Sequence, residues 1–437
     1  MGFTGHDFFT HMKRLPLAGR RVIELGTMVA APFAAHILSQ LGAEVIKVEP
    51  SSGDPTRSLV RGGPSGTFIA YSHGKKSACI DLSRPEGHAA FMKLLRTADA
   101  LVHNLSPKAA RKLKLTRQEC EATNPRLIYC HIRGYGAGPL EDELASNPVA
   151  EASTGVMEAN RVNGRPSRLG PSYHDQFAGA YAVIGILGSM LQLQEDERQG
   201  RLRGAGERRH VEVGLYETGL HVASRDLVGV QLKTQLLGKP EREPHGEFSM
   251  PGYGAYQTAD ERWIYLLMLN DAHWLKFCQA LQLASDESLA TLRQRKKARE
   301  RVEALVRASV AAHSFESIAA RLKAAGVGFT EVLPLERVLD APQARHPGKL
   351  QRVRFRGLEF AVPEFPCLET GEESSTGEED GASPPPDLGE HTAAVLQSAG
   401  IDPTDYDALL GSGAVAQATP NAFAWAALRT GTAPADG

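Results

Sequence analysis

Asp175 is the one carboxylate in the stretch Gly164 to Leu191, GRPSRLGPSYHDQFAGAYAVIGILGSML. Pro166, Gly170 and Pro171 mark a loop before it. After it, Ala178, Tyr181, Ala182, Ile184, Gly185, Gly188 and Leu191 recur at helical spacing. The positions between them are also mostly apolar, so the pattern predicts a helix buried nearly all round, with Asp175 at or near its start. A carboxylate there has two readings. One is a cap or first-turn acid, stabilised by free backbone N–H groups and the helix dipole. The other is a nucleophile that the same N–H groups keep ionised within reach of a substrate. The local pattern leaves both open.

Other catalytic templates do not fit. The sequence holds no HExxH, no GxSxG, no P-loop and no His or Cys cluster at metal-ligand spacing. His174 neighbours Asp175, but adjacent helix positions point in different directions, so the two are not paired. What is left is carboxylate chemistry without a metal, or a binding protein.

The bulk properties narrow the class further. A chain of 437 residues exceeds one typical domain and has ample apolar material for a core, so two domains are expected. A formal charge of -2 gives no general basic field, which argues against nucleic acid as a partner. Five scattered cysteines, Cys79, Cys120, Cys130, Cys278 and Cys367, form no CxxC pair and suit a reducing compartment. The N-terminal residues lack an apolar run of signal-peptide length, and His6 stands where a myristoylation signal wants Ser or Thr. The most apolar window, about 178–193, is short for a membrane span. A cytoplasmic protein with no membrane contact is the expectation.

The elements that must position Asp175 alternate between strand and helix. Arg21 to Leu25 and Glu44 to Val48 read as strands around a small-residue helix, Phe33 to Leu41. Further strands are expected at Ser77–Leu82, Ala100–His103, Leu127–Ile132 and His210–Leu215, with helices from Pro85 and near Arg117. This alternation predicts an open, mostly parallel Rossmann-like α/β sheet with ligands at the C-terminal strand ends. Glu49 sits where a dinucleotide fold places its ribose ligand, but Gly26-Thr27-Met28-Val29-Ala30-Ala31 lacks the glycine triplet, which argues against NAD. Asn104 and Arg133-Gly134-Tyr135-Gly136 gather at strand ends. Lys108, Arg111, Lys112 and Lys114, with Lys75-Lys76, read either as solvated charge or as a phosphate-holding edge.

The domain boundaries follow from composition. Residues 1–226 form the N-terminal part of a large domain, 227–333 a smaller α+β domain with its linkers, and 334–437 the return to the large domain. Leu227 to Pro251, rich in Lys, Glu, Gly and Pro, reads as a connection. Residues 368–386 are acidic and Ser/Gly-rich, hence flexible, and the tail from Gly411 is expected to be peripheral.

Together these pieces resemble the class III CoA-transferase family. The series is LAGRRVIELGTMVAAPFAAHILSQLGAEVIKVEP, GDPTR at Gly53, HGKKSACIDLSRPEG at His73, ADALVHNLSPKAARKL at Ala98, RGYGAGP at Arg133, the Asp175 stretch, and LGEHT at Leu388. The resemblance implies an interlocked homodimer and a CoA-transferase in which Asp175 is the nucleophile. It would form a mixed anhydride with the acyl group and then an aspartyl-CoA thioester, with acyl-CoA and a carboxylic acid as substrates. No tightly bound cofactor and no metal are implied. Met28, Val29 and Ala30 would approach CoA through the first turn. Asn104 and Leu105 would contact adenine and pantetheine, and Lys112 would meet the phosphates, with Lys75 and Lys76 as further phosphate neighbours. Val29 replaces the glutamine of formyl-CoA transferase, Pro50 a basic residue and Leu105 the usual phenylalanine. Arg133, Arg165 and Arg168, with Arg161, flank the loop and read either as solvated charge or as a clamp for a second carboxylate; the clamp reading favours a dicarboxylate such as succinate. Alternatives are intramolecular CoA transfer within a dicarboxylic acyl-CoA, and a CoA-binding protein without catalysis. The racemase branch is disfavoured, because the segment after Gly136 holds no histidine and has Asn147 where an aspartate is common.

Overall fold

A computed structural model of the protein describes residues 15–60, 63–201, 210–238, 250–366 and 382–417. The chain divides into two units. The first runs to Glu158, takes up Ser167–Arg225 and resumes at Pro347; the second comprises Ala159–Pro166 and Asp226–His346. The return to the first unit therefore lies beyond residue 333, because the segment up to His346 groups with the second unit.

The first unit is built on a sheet of seven strands: β1 (Arg21–Leu25), β2 (Glu44–Glu49), β3 (Lys76–Ile80), β4 (Ala100–His103), β5 (Ile128–Arg133), β6 (His210–Gly214) and β7 (Val415–Ala416). Their spatial order is β7-β3-β2-β1-β4-β5-β6, parallel except for β7, which pairs antiparallel with β3. The apolar runs VIEL, VIKV and ALV suit strands covered on both faces. Alternate side chains serve different cores. Val22, Val45, Ala100 and Val102 pack with one helix layer, while Ile23, Ile46, Ile80 and Leu101 pack with the other. The order reverses between β1 and β4, which is where an open α/β sheet offers a crevice.

Two helices cover the first core: α1 (Ala30–Gln40) and α4 (Tyr173–Arg198). Between them in the chain come α2 (Pro107–Lys112) and α3 (Asn147–Ser153), and after them α5 (Leu215–Val222) and α6 (Ser224–Leu237). Helices α1 and α4 meet through Ala30, Ala31, Ala34 and Ala35 on one side and Ala178 and Ala182 on the other. Gly179 allows this. A Cβ there would come within 2.8 Å of the Ala30 carbonyl oxygen and 3.2 Å of the Ala34 nitrogen.

The second unit carries a three-stranded antiparallel sheet, with Trp263–Leu266 between Gly254–Gln257 and Phe329–Glu331. Helices Asp271–Ala280, Arg299–Ala311 and Phe315–Ala325 bury Phe277, Val302, Val306, Ile318 and Leu322 against it.

Several expectations are corrected. Helix α4 is not buried all round: Ile184 and Leu191 are 63% and 67% exposed, and Phe177 is exposed too. Of the expected connection Leu227 to Pro251, 239–249 lie outside the described residues, and its start is instead part of a helix, Ser224–Leu237. It has no buried residue, so no apolar stripe facing its own core betrays it. The tail from Gly411 is not peripheral at first, because Ala414 and Val415 are buried and β7 extends the sheet. Most of the segment expected to be flexible lies outside the described residues, as do Cys367 and the tail beyond 417. Its end is structured: Pro385 and Pro386 are buried, and Ser383 O accepts the Gly74 N–H at 3.0 Å. Among the described residues, α4 is the one helix long and apolar enough to cross a membrane, and it carries core residues on its α1 face.

Candidate active site

The turn after β1 is tied to the turn after β4. The Thr27 N–H donates to Asn104 Oδ1 at 3.0 Å, and Asn104 Nδ2 donates back to Thr27 O at 2.9 Å. The Asn104 side chain thus staples the two strand ends at the point where the sheet order reverses. Met28 stands in the turn with φ +64° and 43% exposure, a left-handed backbone that a non-glycine residue adopts only under constraint. Gly26 is required just before it, since a Cβ there would lie 2.7 Å from Ala31 Cβ. Val29 is the N-cap position of α1 and supplies no side-chain cap. With Pro32 lacking a donor, the N–H groups of Ala30 and Ala31 remain as donors in the first turn of α1.

Below this turn lies a buried ionic cluster. Glu24 takes Lys47 Nζ on one oxygen at 2.7 Å and Lys75 Nζ on the other at 2.6 Å. Both ammonium groups also hold the backbone above: Lys47 donates to Gly26 O at 2.8 Å and Lys75 to Pro32 O at 2.9 Å. Asp54 joins Lys47 at 2.8 Å, and Glu49 is gripped by Arg57 and Ser77. Burial pushes the Lys75 ammonium down to about 8, against the pull of Glu24. Burial also works against the charge on Lys47, but Glu24, Glu49 and Asp54 outweigh it and raise its pKa.

Lys75 is therefore enclosed and committed, with no surface to offer a phosphate. Lys76 begins β3, level with Ile46 of β2 and Ile23 of β1, and pairs with Glu44 at the start of β2. Neither joins the turn that Met28, Val29 and Ala30 form with Asn104. Leu105 follows Asn104, and its carbonyl lies 2.9 Å from His131 Nε2. Lys112 is exposed in the last turn of α2, the helix that Ser106 caps on leaving this strand end.

Asp175 lies in the first turn of α4, half-buried. Gly179, one turn on, shares its helix face, so that face is the one packed on the start of α1. The Asp175 carboxylate has no hydrogen-bond donor among the described residues. The cap of α4 comes from elsewhere: Asn147 Oδ1 accepts the His174 N–H at 2.9 Å and the Asp175 N–H at 3.4 Å, while Ser172 at the N-cap makes no side-chain cap. Burial pushes the Asp175 carboxyl up to about 6; Arg168 opposes this and Glu151 adds to it. The expectation that helix N–H groups hold this carboxyl ionised is corrected, because the Asn147 side chain occupies those donors.

The arginines part company. Arg133 is 11% exposed; its guanidinium donates to Glu141 O at 2.7 Å and to Glu212 at 3.4 Å, so it braces the loop after β5. Arg168 is exposed, with Nε 3.8 Å from Glu151, and it acts electrostatically on Asp175. Arg161 and Arg165 sit in a short hairpin of the second unit. Glu151 escapes sequence reasoning as a site residue, and Asn147 enters it only as the residue at an acid position of the racemase branch; their i,i+4 spacing does not reveal a contact 27 residues further along the chain. No group of three or more His, Cys, Asp or Glu residues suited to a metal occurs among the described residues.

Comparison with known proteins adds to this geometry. The sequence matches the model of CoA-transferase family III over residues 17–392. It is 29% identical to succinate–glutarate CoA-transferase of Agrobacterium fabrum, over 88% of this chain and 96% of the relative. It is 31% identical to the alpha subunit of succinyl-CoA–L-malate CoA-transferase of Chloroflexus aurantiacus, over 67% of this chain and 68% of that one. A CAIB/BAIF family protein from Brucella suis superposes with a TM-score of 0.73 at 25% identity, covering 89% of this chain and all of that structure.

Proposed function

The chain belongs to CoA-transferase family III and is a CoA-transferase, and from that premise we propose that it moves CoA between carboxylic acids through covalent intermediates on Asp175. The observation that carries the reading is the Asp175 carboxylate itself. It is half-buried, free of hydrogen-bond donors among the described residues, and on the helix face packed against the start of α1. A carboxylate stripped of donors keeps its basicity and its lone pairs for attack.

In the first half-reaction Asp175 attacks the acyl-CoA carbonyl, and the thiolate of CoA leaves, giving a mixed anhydride. The thiolate returns to the aspartyl carbonyl and expels the donor acid, which leaves an aspartyl-CoA thioester. The acceptor carboxylate then attacks that thioester, breaking its C–S bond and expelling the CoA thiolate, and forms a second anhydride. Thiolate attack on its acceptor carbonyl releases the new acyl-CoA and restores Asp175. Each step exchanges one acyl bond for another, so no metal or redox partner is required. The Ala30 and Ala31 N–H groups are the donors suited to the developing oxyanions.

CoA itself is assigned to the turn of Met28, Val29 and Ala30 with Asn104 and Leu105, and its phosphates to exposed Lys112. For the acids we favour dicarboxylates such as succinate. The named relatives act on succinate, glutarate and malate esters or acids, and Arg168 is the exposed cation acting on Asp175. A homodimer is supported by the exposed apolar residues of α6, among them Val228, Leu232 and Leu236, and by the exposed stripe of α4. A cytoplasmic setting accords with the free cysteines Cys79, Cys120, Cys130 and Cys278.

The test is direct. With succinyl-CoA as donor and a panel of mono- and dicarboxylic acceptors, hydroxylamine should trap Asp175 as its hydroxamate, detected by peptide mass spectrometry. Full CoA transfer by Asp175→Ala would sink the assignment. Turnover of one dicarboxylic acyl-CoA with no separate acceptor would mark the intramolecular variant instead.

A further inference from the structure

Asn147 and Glu151 stand one turn apart on α3, 2% and 0% exposed. Their side chains are joined: Asn147 Nδ2 donates to Glu151 Oε1. That bond fixes which end of the amide points where, and it turns Oδ1 toward the first turn of α4, where it receives the His174 and Asp175 N–H groups. The second oxygen of Glu151 accepts the Leu169 N–H at 3.1 Å, and Arg168 Nε lies 3.8 Å from the first. Glu151 therefore touches both the cap of α4 and the loop that leads into it.

From this geometry we infer that Asn147 and Glu151 are a positioning pair for Asp175, the amide holding its backbone and the buried carboxylate fixing both that amide and the loop that leads into α4. The inference rests on Asp175 as the nucleophile. Two features separate it from ordinary packing. Ser172 stands at the N-cap with a hydroxyl fit for the task, yet the cap is supplied from α3. And an enclosed carboxylate is a costly way to fasten a loop unless its charge has a use. The direction of the Glu151 effect on Asp175 agrees: it favours the more basic nucleophile.

The remaining titratable groups on helices packed against α4 are engaged elsewhere. His36 of α1 packs against the rings of Tyr71 and His73. On α5, Glu217 accepts the Gly136 N–H, and His221 Nδ1 lies 2.8 Å from Tyr181 Oη. His174, beside Asp175 on α4, turns its Nε2 to Thr154 Oγ1 at 3.3 Å.

Donor and acceptor parity gives the test. In Glu151→Gln, the new amide has one acceptor oxygen for two donors, Asn147 Nδ2 and the Leu169 N–H, so one contact becomes donor against donor. Adding Asn147→Asp restores parity. The introduced aspartate accepts from the introduced amide's NH₂ and still caps α4, while the oxygen of that amide accepts the Leu169 N–H. The Asp175 titration is read by infrared spectroscopy of protein labelled with ¹³C-aspartate, assigned by difference from Asp175→Asn. In parallel, the pH profile of kcat/KM is taken with succinyl-CoA and glutarate.

Glu151→Gln is expected to lower the Asp175 midpoint by about 0.5 to 1 pH unit, the scale of losing a nearby like charge, with the acidic limb of kcat/KM following. The double variant should recover most of the lost kcat. An unmoved midpoint in a folded Glu151→Gln protein overturns the inference, as does a folded double variant with no recovery of kcat. If Glu151→Gln does not fold, a double variant that folds and transfers CoA supports the pair, and one that folds without transfer overturns it. Because the titration is read without turnover, transfer surviving in Asp175→Ala would remove the nucleophile reading while leaving this measurement intact.

Discussion

Gly179 and Ala30 approach so closely that a single methyl group on Gly179 would press to 2.8 Å on the Ala30 carbonyl oxygen. This contact sets the distance between the helix that bears Asp175 and the helix that begins at the β1 turn. Gly179→Ala should force α4 outward, costing about 1–3 kcal/mol by overpacking and a larger share of kcat than of substrate affinity. Gly188 on the same helix has no neighbour within 4 Å of an added Cβ. Gly188→Ala is expected to leave stability unchanged or raise it by up to about 1 kcal/mol through helix propensity. Thermal melts and kcat for the two variants check the contrast.

Asp175 carries a second consequence in its pH behaviour. Its carboxyl titrates near 6 in the fold and near 3.8 when unfolded. The ionised nucleophile is lost as pH falls through about 6, so kcat/KM should decline about tenfold per unit below that point. Stability runs the other way. Above pH 6 the fold bears a buried charge that the unfolded chain solvates, and below about pH 4 both states are protonated and the penalty vanishes. Asp175→Asn should therefore abolish transfer yet stabilise the protein by about 1–3 kcal/mol at about pH 8. Denaturation at about pH 8 and about pH 4 should show that gain shrink.

Lys75 and Lys112 should respond oppositely to removal. Lys75→Met strips one partner from an enclosed ion cluster and leaves Glu24 half-compensated, a loss of about 3–5 kcal/mol. Lys112→Ala, at an exposed site, should leave the melting temperature in place. It should weaken CoA binding by about 3- to 10-fold at low salt, an effect that shrinks as salt screens it. Calorimetric titration with CoA at two salt concentrations, beside melting curves, distinguishes the two roles.

Helix α6 offers a test of the proposed dimer. Leu232→Glu with Leu236→Glu alters only exposed side chains, so each folded chain should keep its helix content. Sedimentation velocity should show a lighter species. An unchanged sedimentation coefficient would count against this face as an interface.

Much of the sheet is legible in the sequence because buried parallel strands read as short unbroken apolar runs, as in RVIEL and ALVH. Pro85–Leu95 is legible because proline opens it and an apolar stripe sustains it. The short helices Gly66–Ser72, Asn147–Ser153 and Leu215–Val222 span two turns or little more, too few to display a period. The charged stretch 285–313 is not one helix: a 3-10 turn, Glu287–Leu289, precedes two helices, Leu292–Lys297 and Arg299–Ala311, that meet at Ala298. There the buried Arg295 stacks on Trp274 and bonds Asp271, Leu289 O and Ala290 O, which holds the preceding turn at its own angle.

At the site, Asp175 stands out because a lone carboxylate between a loop and an apolar helix is a local signal. The fates of Lys75 and Lys76 are not local. Two adjacent lysines look alike in sequence, but one meets Glu24 from β1 and the other Glu44 from the start of β2. Arg133 misleads for the same reason, since Glu212, its partner, lies on β6.

The grip of Glu24 on Lys47 and Lys75 bears on how a ligand arrives. Two enclosed ammonium groups fasten Gly26 O and Pro32 O from below, so the turn between them takes its shape before anything binds. A visitor to that turn meets a finished seat and need not spend affinity on ordering it. Association there should proceed at a rate set by diffusion and orientation, with any slow rearrangement left to more distant parts of the chain.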